Sequence, residues 1–372
     1  MTNILIIGGG LAGLVCANQL TKAGVQVVLI EKKTYPFHRV CGEYISNEVR
    51  PFLERNHLLP SNFALPQMNK LLLSSPSGRN FNTTLPLGGF GISRYEFDRF
   101  LAEKAKENGA EIITGTTVSE VAYHQQSDNF SVKTSSAQSL EAKVVIGSFG
   151  KRSNLDRTLQ RPFFVQRSPY LGVKYHVKAD LPKNQIALHN FTDGYCGVSA
   201  LENDKYNVCY LTTRGNLKKY GNIPEMEENA LHKNPFLKDI FTNAEFLYDQ
   251  PEVINEITFA PKSLIENHIL MCGDAAGMIT PLCGNGMAMA IHSATILSEL
   301  VKEFSLGNIN RTQLENRYQQ TWKSHFSGRL RIGRTVQKLF GKPILSELAI
   351  GSLGRINGLS RTLINQTHGR PF

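Results

Sequence analysis

The sequence predicts an α/β protein in which a parallel-sheet nucleotide-binding unit is interrupted by an antiparallel sheet and followed by a basic helical segment. Three observations carry this prediction. A short apolar run at residues 4–7 (ILII) enters the turn Gly8-Gly9-Gly10-Leu11-Ala12-Gly13. A second glycine cluster, Cys272-Gly273-Asp274-Ala275-Ala276-Gly277, follows another apolar run far downstream. Between them, from Tyr170 to Thr213, apolar residues recur with a period of two.

Residues 4–7 read as a buried parallel strand. Residues 11–23 read as a helix with Leu14, Ala17 and Leu20 facing inward, closed by Gly24, and 25–30 (VQVVLI) read as a second buried strand ending at Glu31. This is a Rossmann-type βαβ unit. Gly8 permits the tight turn, Gly10 lets the backbone approach a pyrophosphate, and Gly13 lets the helix pack on the sheet. The helix N-terminus offers N–H groups and a positive dipole end. Glu31, 23 residues after Gly8, is placed to accept hydrogen bonds from ribose hydroxyls.

Further along, 93–109 reads as an amphipathic helix, and 111–121 and 130–146 read as strands, with 143–147 a buried one. YLGVKYHVK, IALHNF, GYCGVSALE and YNVCYLTT, separated by turn residues, predict an antiparallel sheet. Residues 224–240 and 288–304 read as helices. From Leu314 on the chain reads as mostly helical, with breaks at Gly341-Lys342-Pro343 and at Gly351, Gly354 and Gly358. The expected division is a discontinuous nucleotide-binding domain at 1–165 and 255–305, a sheet domain for substrate at 166–254, and a basic helical segment at 306–372.

The 372 residues are 41% hydrophobic and 19% charged, which is globular composition with enough length to bury a core. The charge of +10 is uneven: residues 317–372 hold ten Lys/Arg against Glu347 alone, +9, leaving +1 for the rest. In this tail Ile332, Val336, Leu339 and Phe340 share one helical face, while Arg331, Arg334, Lys338 and Lys342 fall elsewhere. Such a helix can dock on an anionic membrane or an acidic carrier protein, or simply cover the chain's own core. Nucleic-acid binding is not expected, because no recognition module accompanies the charge. The six cysteines (16, 41, 196, 209, 272 and 283) are scattered, so reduced thiols are expected rather than disulfides or a metal site. There is no apolar stretch of spanning length and no leader pattern at Met1. The expected location is cytoplasmic, with peripheral contact at the inner face of a membrane as the variant.

The second cluster continues through Pro281 to Gly284-Asn285-Gly286, and the whole stretch GDAAGMITPLCGNGMAMAIHSA resembles the superfamily of FAD-dependent aromatic hydroxylases (p-hydroxybenzoate hydroxylase-like) and geranylgeranyl reductases. The resemblance implies FAD. It implies that Asp274 binds the ribityl chain and that Pro281 to Gly286 bring a helix N-terminus to the flavin ring, where N–H groups stabilise the reduced, anionic form. Arg39-Val40-Cys41-Gly42-Glu43 is similar to the family's loop beside the flavin, its Cys-Gly form being typical of the reductase branch. Arg94 with Phe97-Asp98 and Leu101 resembles the family's RxxFDxxL helix, whose Arg contacts the FAD phosphates. The expected cofactor set is Gly8, Gly10, Ala12, Gly13, Glu31, Lys32, Arg39, Cys41, Gly42, Arg94, Gly150, Gly273, Asp274, Pro281, Gly284, Asn285, Gly286 and Met287. Cys41 is the candidate catalytic residue, and the ten dispersed His suggest no metal cluster.

Two departures bear on function. The family's GADG motif stands here as Gly147-Ser148-Phe149-Gly150, with Phe149 in place of the acid. The reductases' Tyr-x-Trp-x-Phe-Pro stretch stands as Gly194-Tyr195-Cys196-Gly197-Val198, and the sole Trp is Trp322. The halogenases' WxWxIP segment is likewise missing. No second GxGxxG follows a strand, so NAD(P)H is expected to bind transiently at the flavin face. The function expected is an FAD-dependent oxidoreductase: a single-component monooxygenase acting on an aromatic or similarly activated small molecule. The alternatives are a reductase of carbon–carbon double bonds and a flavoprotein that passes electrons to a carrier-bound or membrane partner.

Overall fold

The N-terminal apolar run becomes the middle of a parallel sheet. The computed structural model describes residues 3–137, 139–281, 284–337, 342–353, 364 and 368–372. Asn3–Ile7 lies between Gln26–Ile30 and Val144–Gly147, with Ile4 opposite Val27 on one side and Val144 on the other. A strand covered on both faces has no solvated side to make polar, and Ile4, Leu5, Ile6 and Ile7 are all buried. Among the described residues the strand order is Ile265–Glu266, Ile269–Met271, Val144–Gly147, Asn3–Ile7, Gln26–Ile30 and Glu111–Ile113. All neighbours are parallel except the Ile265–Met271 hairpin. Helix Leu11–Lys22 packs against Arg94–Glu107 and Gly286–Ser305, and Arg311–Gln337 packs on the latter. Leu314, Tyr318, Trp322 and Phe326, four apart, are the buried stripe of that long helix.

The period-two region forms the antiparallel meander it predicts. Tyr170–Lys178, Tyr206–Thr213, Gly194–Ala200 and Gln185–Phe191 pair in that order. The sheet is wider than 166–254. Gln67–Ser74 joins Gln185–Phe191 in parallel, Asn80–Gly91 follows, and Tyr44–Ser46 sits at the edge. On the other side Glu252–Ile257 and Glu245–Phe246 pair with Tyr170–Lys178. Residues 44–91, expected within the nucleotide-binding segment, therefore supply three strands to the second sheet. Pairing register aligns Lys174, Cys209, Gly197, Leu188, Leu73 and Phe81 as one row across it.

Two elements are divided more finely than expected. The stretch 111–147 holds Glu111–Ile113, a three-stranded meander (Val118–His124, Asn129–Thr134, Ser139–Ala142) and Val144–Gly147. The helix expected at 224–240 is Ile223–Met226, a π-turn at Glu227–Leu231, and Pro235–Asn243. Pro235 has no N–H to continue a helix, and Asn234 caps the new one by accepting from the Phe236 N–H at 3.0 Å.

Candidate functional site

The glycine turn opens onto a cavity. Gly8 has φ +103°, and a Cβ there would lie 2.5 Å from the Ser148 carbonyl oxygen. Gly10 caps helix Leu11–Lys22 with no side-chain hydrogen bond, so the first N–H groups of that helix lack a capping side chain. Gly8, Gly10 and Ala12 line the cavity; Gly13 does not. Gly13 serves packing, because a Cβ there would lie 2.1 Å from the Gly8 oxygen. Glu31 accepts from the Gly9 N–H at 2.8 Å and the Lys33 N–H at 3.0 Å. Arg94 forks onto buried Asp98 through Nε and Nη2, both at 2.8 Å, while Arg39 reaches Asp98 at 3.1 Å and Glu31 at 3.3 Å. One buried carboxylate thus holds two guanidinium groups over the turn, with Arg94 Nη2 3.6 Å from where a Gly10 Cβ would stand. Lys32 is exposed at the rim.

The second glycine cluster lines the same cavity through Gly273 and Asp274, and the turn after it through Pro281, Gly284, Asn285, Gly286 and Met287. Leu282 and Cys283 lie outside the described residues. Helix Gly286–Ser305 also begins without a side-chain cap, so two open helix N-termini face one space. Burial pushes the Asp274 carboxyl up, against the pull of Lys262 and Arg94. Lys262 Nζ donates to the backbone carbonyl oxygens of Asp274 at 2.8 Å and Lys151 at 2.7 Å. Burial lowers both Lys151 and Lys262 to about 8. Gly150 and Phe149 complete this wall.

The Arg39–Glu43 loop forms another wall through Arg39, Cys41 and Gly42. Burial pushes the Cys41 thiol up, so it stays protonated at neutral pH. Below the loop lies a network that motif reading missed. Glu43, fully buried at φ +52°, accepts from Lys174 Nζ at 2.6 Å, His176 Nε2 at 2.6 Å and the Arg94 N–H at 2.8 Å. Burial works against the Glu43 charge, but Lys174 and the His176 hydrogen bond outweigh it and hold the carboxyl at about 2. Tyr248 donates to His176 Nδ1 at 2.5 Å and lies 3.0 Å from His38 Nδ1. One signal was available in the sequence: Lys174 and His176, two residues apart on a buried strand, must share a face.

The cavity is continuous and has a volume of about 900 Å³. Its far end is floored by Gly197, Leu188, Leu73 and Phe81, four members of the cross-strand row, with Leu71, Leu85 and Ile186 beside them. Val336, Ala349 and Ser352 from the C-terminal helices close it. Val336 therefore faces inward, and Arg334 Nη1 donates to the Phe259 oxygen at 3.4 Å. Lys338, Leu339 and Phe340 lie outside the described residues.

A family model for the FAD binding domain matches residues 1–321. This chain belongs to the FAD-binding domain family. A digeranylgeranylglycerophospholipid reductase of Methanosarcina acetivorans is 25% identical over 86% of this chain and 80% of its own length. A geranylgeranyl bacteriochlorophyll reductase-like protein from Thermoplasma acidophilum superposes with a TM-score of 0.79 at 18% identity, covering 100% of this chain and 96% of its own. A probable FAD-dependent monooxygenase from Pseudomonas aeruginosa gives 0.77 at 15% identity, over 94% and 99%. The protein is an FAD-dependent oxidoreductase. Its residues suit that cofactor: two uncapped helix N-termini and two fixed guanidinium groups meet one cavity, beside a carboxylate that follows the second strand.

Proposed function

We propose that this flavoprotein is a single-component monooxygenase that hydroxylates an aromatic ring carrying a long hydrocarbon chain. The observation behind the proposal is the continuity of the cavity, which is polar and cationic at the glycine turn and apolar at the Leu73–Leu188 end. In this reading the pyrophosphate lies on the N–H groups at Gly10 to Ala12, with Arg39 and Arg94 as counter-charges. Glu31 and Lys32 meet the adenosine side, and Asp274 meets the ribityl chain. Gly150, Gly273 and Pro281 to Met287 border the flavin end. When bound, FAD supplies two-electron reduction and, with oxygen, hydroxylation. The chain's own residues bind it, exclude water with an apolar wall, and orient the substrate. At Gly197 the floor of the cavity is bare backbone. Among the described residues, a Cβ there would meet nothing nearer than Leu188 Cδ2 at 3.6 Å, and this leaves width for a ring. NAD(P)H is the proposed reductant and binds transiently, since no second GxGxxG follows a strand in the sequence to offer it a site of its own.

A second reading, reduction of a carbon–carbon double bond, is favoured by Cys41, whose protonated thiol borders the cavity and can donate a proton. Oxidation of NAD(P)H in the presence of a phenol carrying a long alkenyl chain, followed with and without oxygen, separates the two. Hydroxylated product formed only with oxygen is the expected result. Turnover that persists without oxygen would replace the first reading with the second.

No described helix is long and apolar enough to cross a membrane. Helix Pro343–Leu353 nevertheless exposes Ile344, Leu345 and Leu348, and Ala349 and Ser352, one turn on from Leu345 and Leu348, line the cavity beside them, while Ser346 and Ile350 are buried on the other side. With the +9 tail, this supports peripheral contact with an anionic lipid surface, through which a chain-bearing substrate reaches the cavity.

A further inference from the structure

We propose, on the reading of Pro281 to Met287 as the flavin end of the cavity, that Glu48 is a positioning residue that couples FAD binding to the seating of residues 368–372, so that each strengthens the other. Glu48 follows strand Tyr44–Ser46 in the single turn Asn47–Val49 and is fully buried. Three segments far apart in sequence meet on its carboxylate. Arg329 Nη1, from helix Arg311–Gln337, donates to Oε1 at 2.9 Å. Asn285 Nδ2, from the turn that lines the cavity ahead of helix Gly286–Ser305, donates to Oε2 at 3.1 Å. The Gly369 N–H donates to the same Oε2.

Residues 368–372 are fitted to this spot. A Cβ at Gly369 would lie 2.1 Å from Arg329 Nη2 and 2.8 Å from Glu48 Oε1, so any side chain there would push the ion pair aside. The Phe372 N–H donates to the Glu48 backbone oxygen at 3.3 Å. The Phe372 ring stacks on His292, with 3.9 Å between centroids and 18° between planes, and lies 5.6 Å from the Phe52 ring. His292 stands on helix Gly286–Ser305, about two turns beyond Asn285. The segment therefore grips the cofactor-side helix twice, at its start through Glu48 and further along through His292. A buried carboxylate is costly when it loses donors. Seating 368–372 supplies the Gly369 N–H and the cover of the Phe372 ring, and with them one orientation of Glu48 and of the Asn285 side chain it holds. A cofactor that fits the turn in that orientation favours seating, and by linkage seating favours the cofactor by the same factor.

The test uses the intact chain and two readouts, FAD affinity by fluorescence titration and amide hydrogen exchange by mass spectrometry, the latter with and without saturating FAD. FAD is expected to slow exchange in 368–372 about tenfold, a typical size for such a coupling, and to do so more than in helix Pro235–Asn243, which does not line the cavity. Phe372→Ala, also outside the cavity, should raise the FAD dissociation constant by the factor that FAD slows exchange. Glu48→Gln should leave FAD without this effect on 368–372, because an amide offers one acceptor oxygen to three donors. A segment that only stabilises the fold predicts a lower melting temperature for Phe372→Ala with unchanged FAD affinity, and that result overturns the proposal. So does wild-type exchange in 368–372 that is indifferent to FAD, or slowed no more than in Pro235–Asn243. Asn285→Ala separates the coupling from the reading beneath it. Weaker FAD binding is expected there, and unchanged affinity would take the turn out of the cofactor site and the coupling with it.

Discussion

At the scale of residues, two carboxylates, Glu43 fully buried and Asp274 half-buried, do opposite jobs. Glu43 occupies a left-handed conformation, which costs a side-chain-bearing residue about 1–2 kcal/mol, and its carboxylate is fully buried. Lys174, His176 and the Arg94 N–H compensate, and they fix the loop that carries Arg39 and Cys41. Glu43→Gln leaves the Lys174 ammonium buried without a counter-charge, so a loss of about 3–5 kcal/mol in urea unfolding is expected. A loss under about 1 kcal/mol would show that Lys174 does not depend on Glu43. Asp274 is the contrast. Its charge is disfavoured by burial, so Asp274→Ala should leave the ligand-free protein as stable as before. FAD should then bind more weakly by about 1–3 kcal/mol, one lost ligand hydrogen bond. Unchanged FAD affinity, measured by fluorescence titration, would remove Asp274 from the cofactor site.

At the scale of elements, the C-terminal helices divide the tail's work. Arg311–Gln337 turns Val336 inward, and Arg317, Arg329 and Arg334 are engaged with Glu303, Glu48 and the Phe259 oxygen. The outward apolar face belongs to Pro343–Leu353. Replacing Ile344, Leu345 and Leu348 together by Ser should abolish sedimentation with anionic vesicles. Wild-type attachment should weaken at high salt, where screening shortens to roughly 3 Å at 1 M. Equal sedimentation of the two proteins would leave this face without a lipid partner. The nucleotide-binding elements were legible because local rules write them: an apolar run, glycines at fixed offsets and an acid at the next strand end. The meander at 170–213 was legible from its period. Strands Gln67–Ser74 and Asn80–Gly91 were not, because Leu71 and Leu73 take their partners, Ile186 and Leu188, from more than 100 residues away. The site was legible in the same uneven way. Seventeen of the eighteen expected cofactor residues line one cavity, whereas the buried Glu43 takes its side-chain partners, Lys174 and His176, from more than 130 residues away.

At the scale of the whole molecule, neutral histidines are spread through the fold: His189 on a strand of the antiparallel sheet, His292 on helix Gly286–Ser305 and His38 in the loop before Arg39. His38, His189 and His292 are lowered to about 4, mainly by burial. Between pH 6.5 and 4 the unfolded chain takes up protons that the folded one refuses, so stability is full above 6.5 and is lost as pH falls. Glu43, held at about 2, extends the loss below pH 4.5. Glu227, raised to about 7 by burial, and Asp274, raised by burial, work the other way, against these three histidines and against His176, His232 and His368, which burial also lowers. His38 is half-exposed and contributes least. The melting temperature should therefore fall from pH 7 to pH 4, and a rise over that range would contradict the assignment of these histidines as neutral. The proposed function requires that one cavity hold FAD at its glycine end and a hydrocarbon-bearing ring at the other. Titrating the FAD-loaded protein with 4-decylphenol and with phenol, followed by flavin absorbance, tests this. Burial of only about four methylenes at about 0.8 kcal/mol each predicts at least two orders of magnitude tighter binding of the long-chain compound, and equal affinity for the two phenols would contradict the claim.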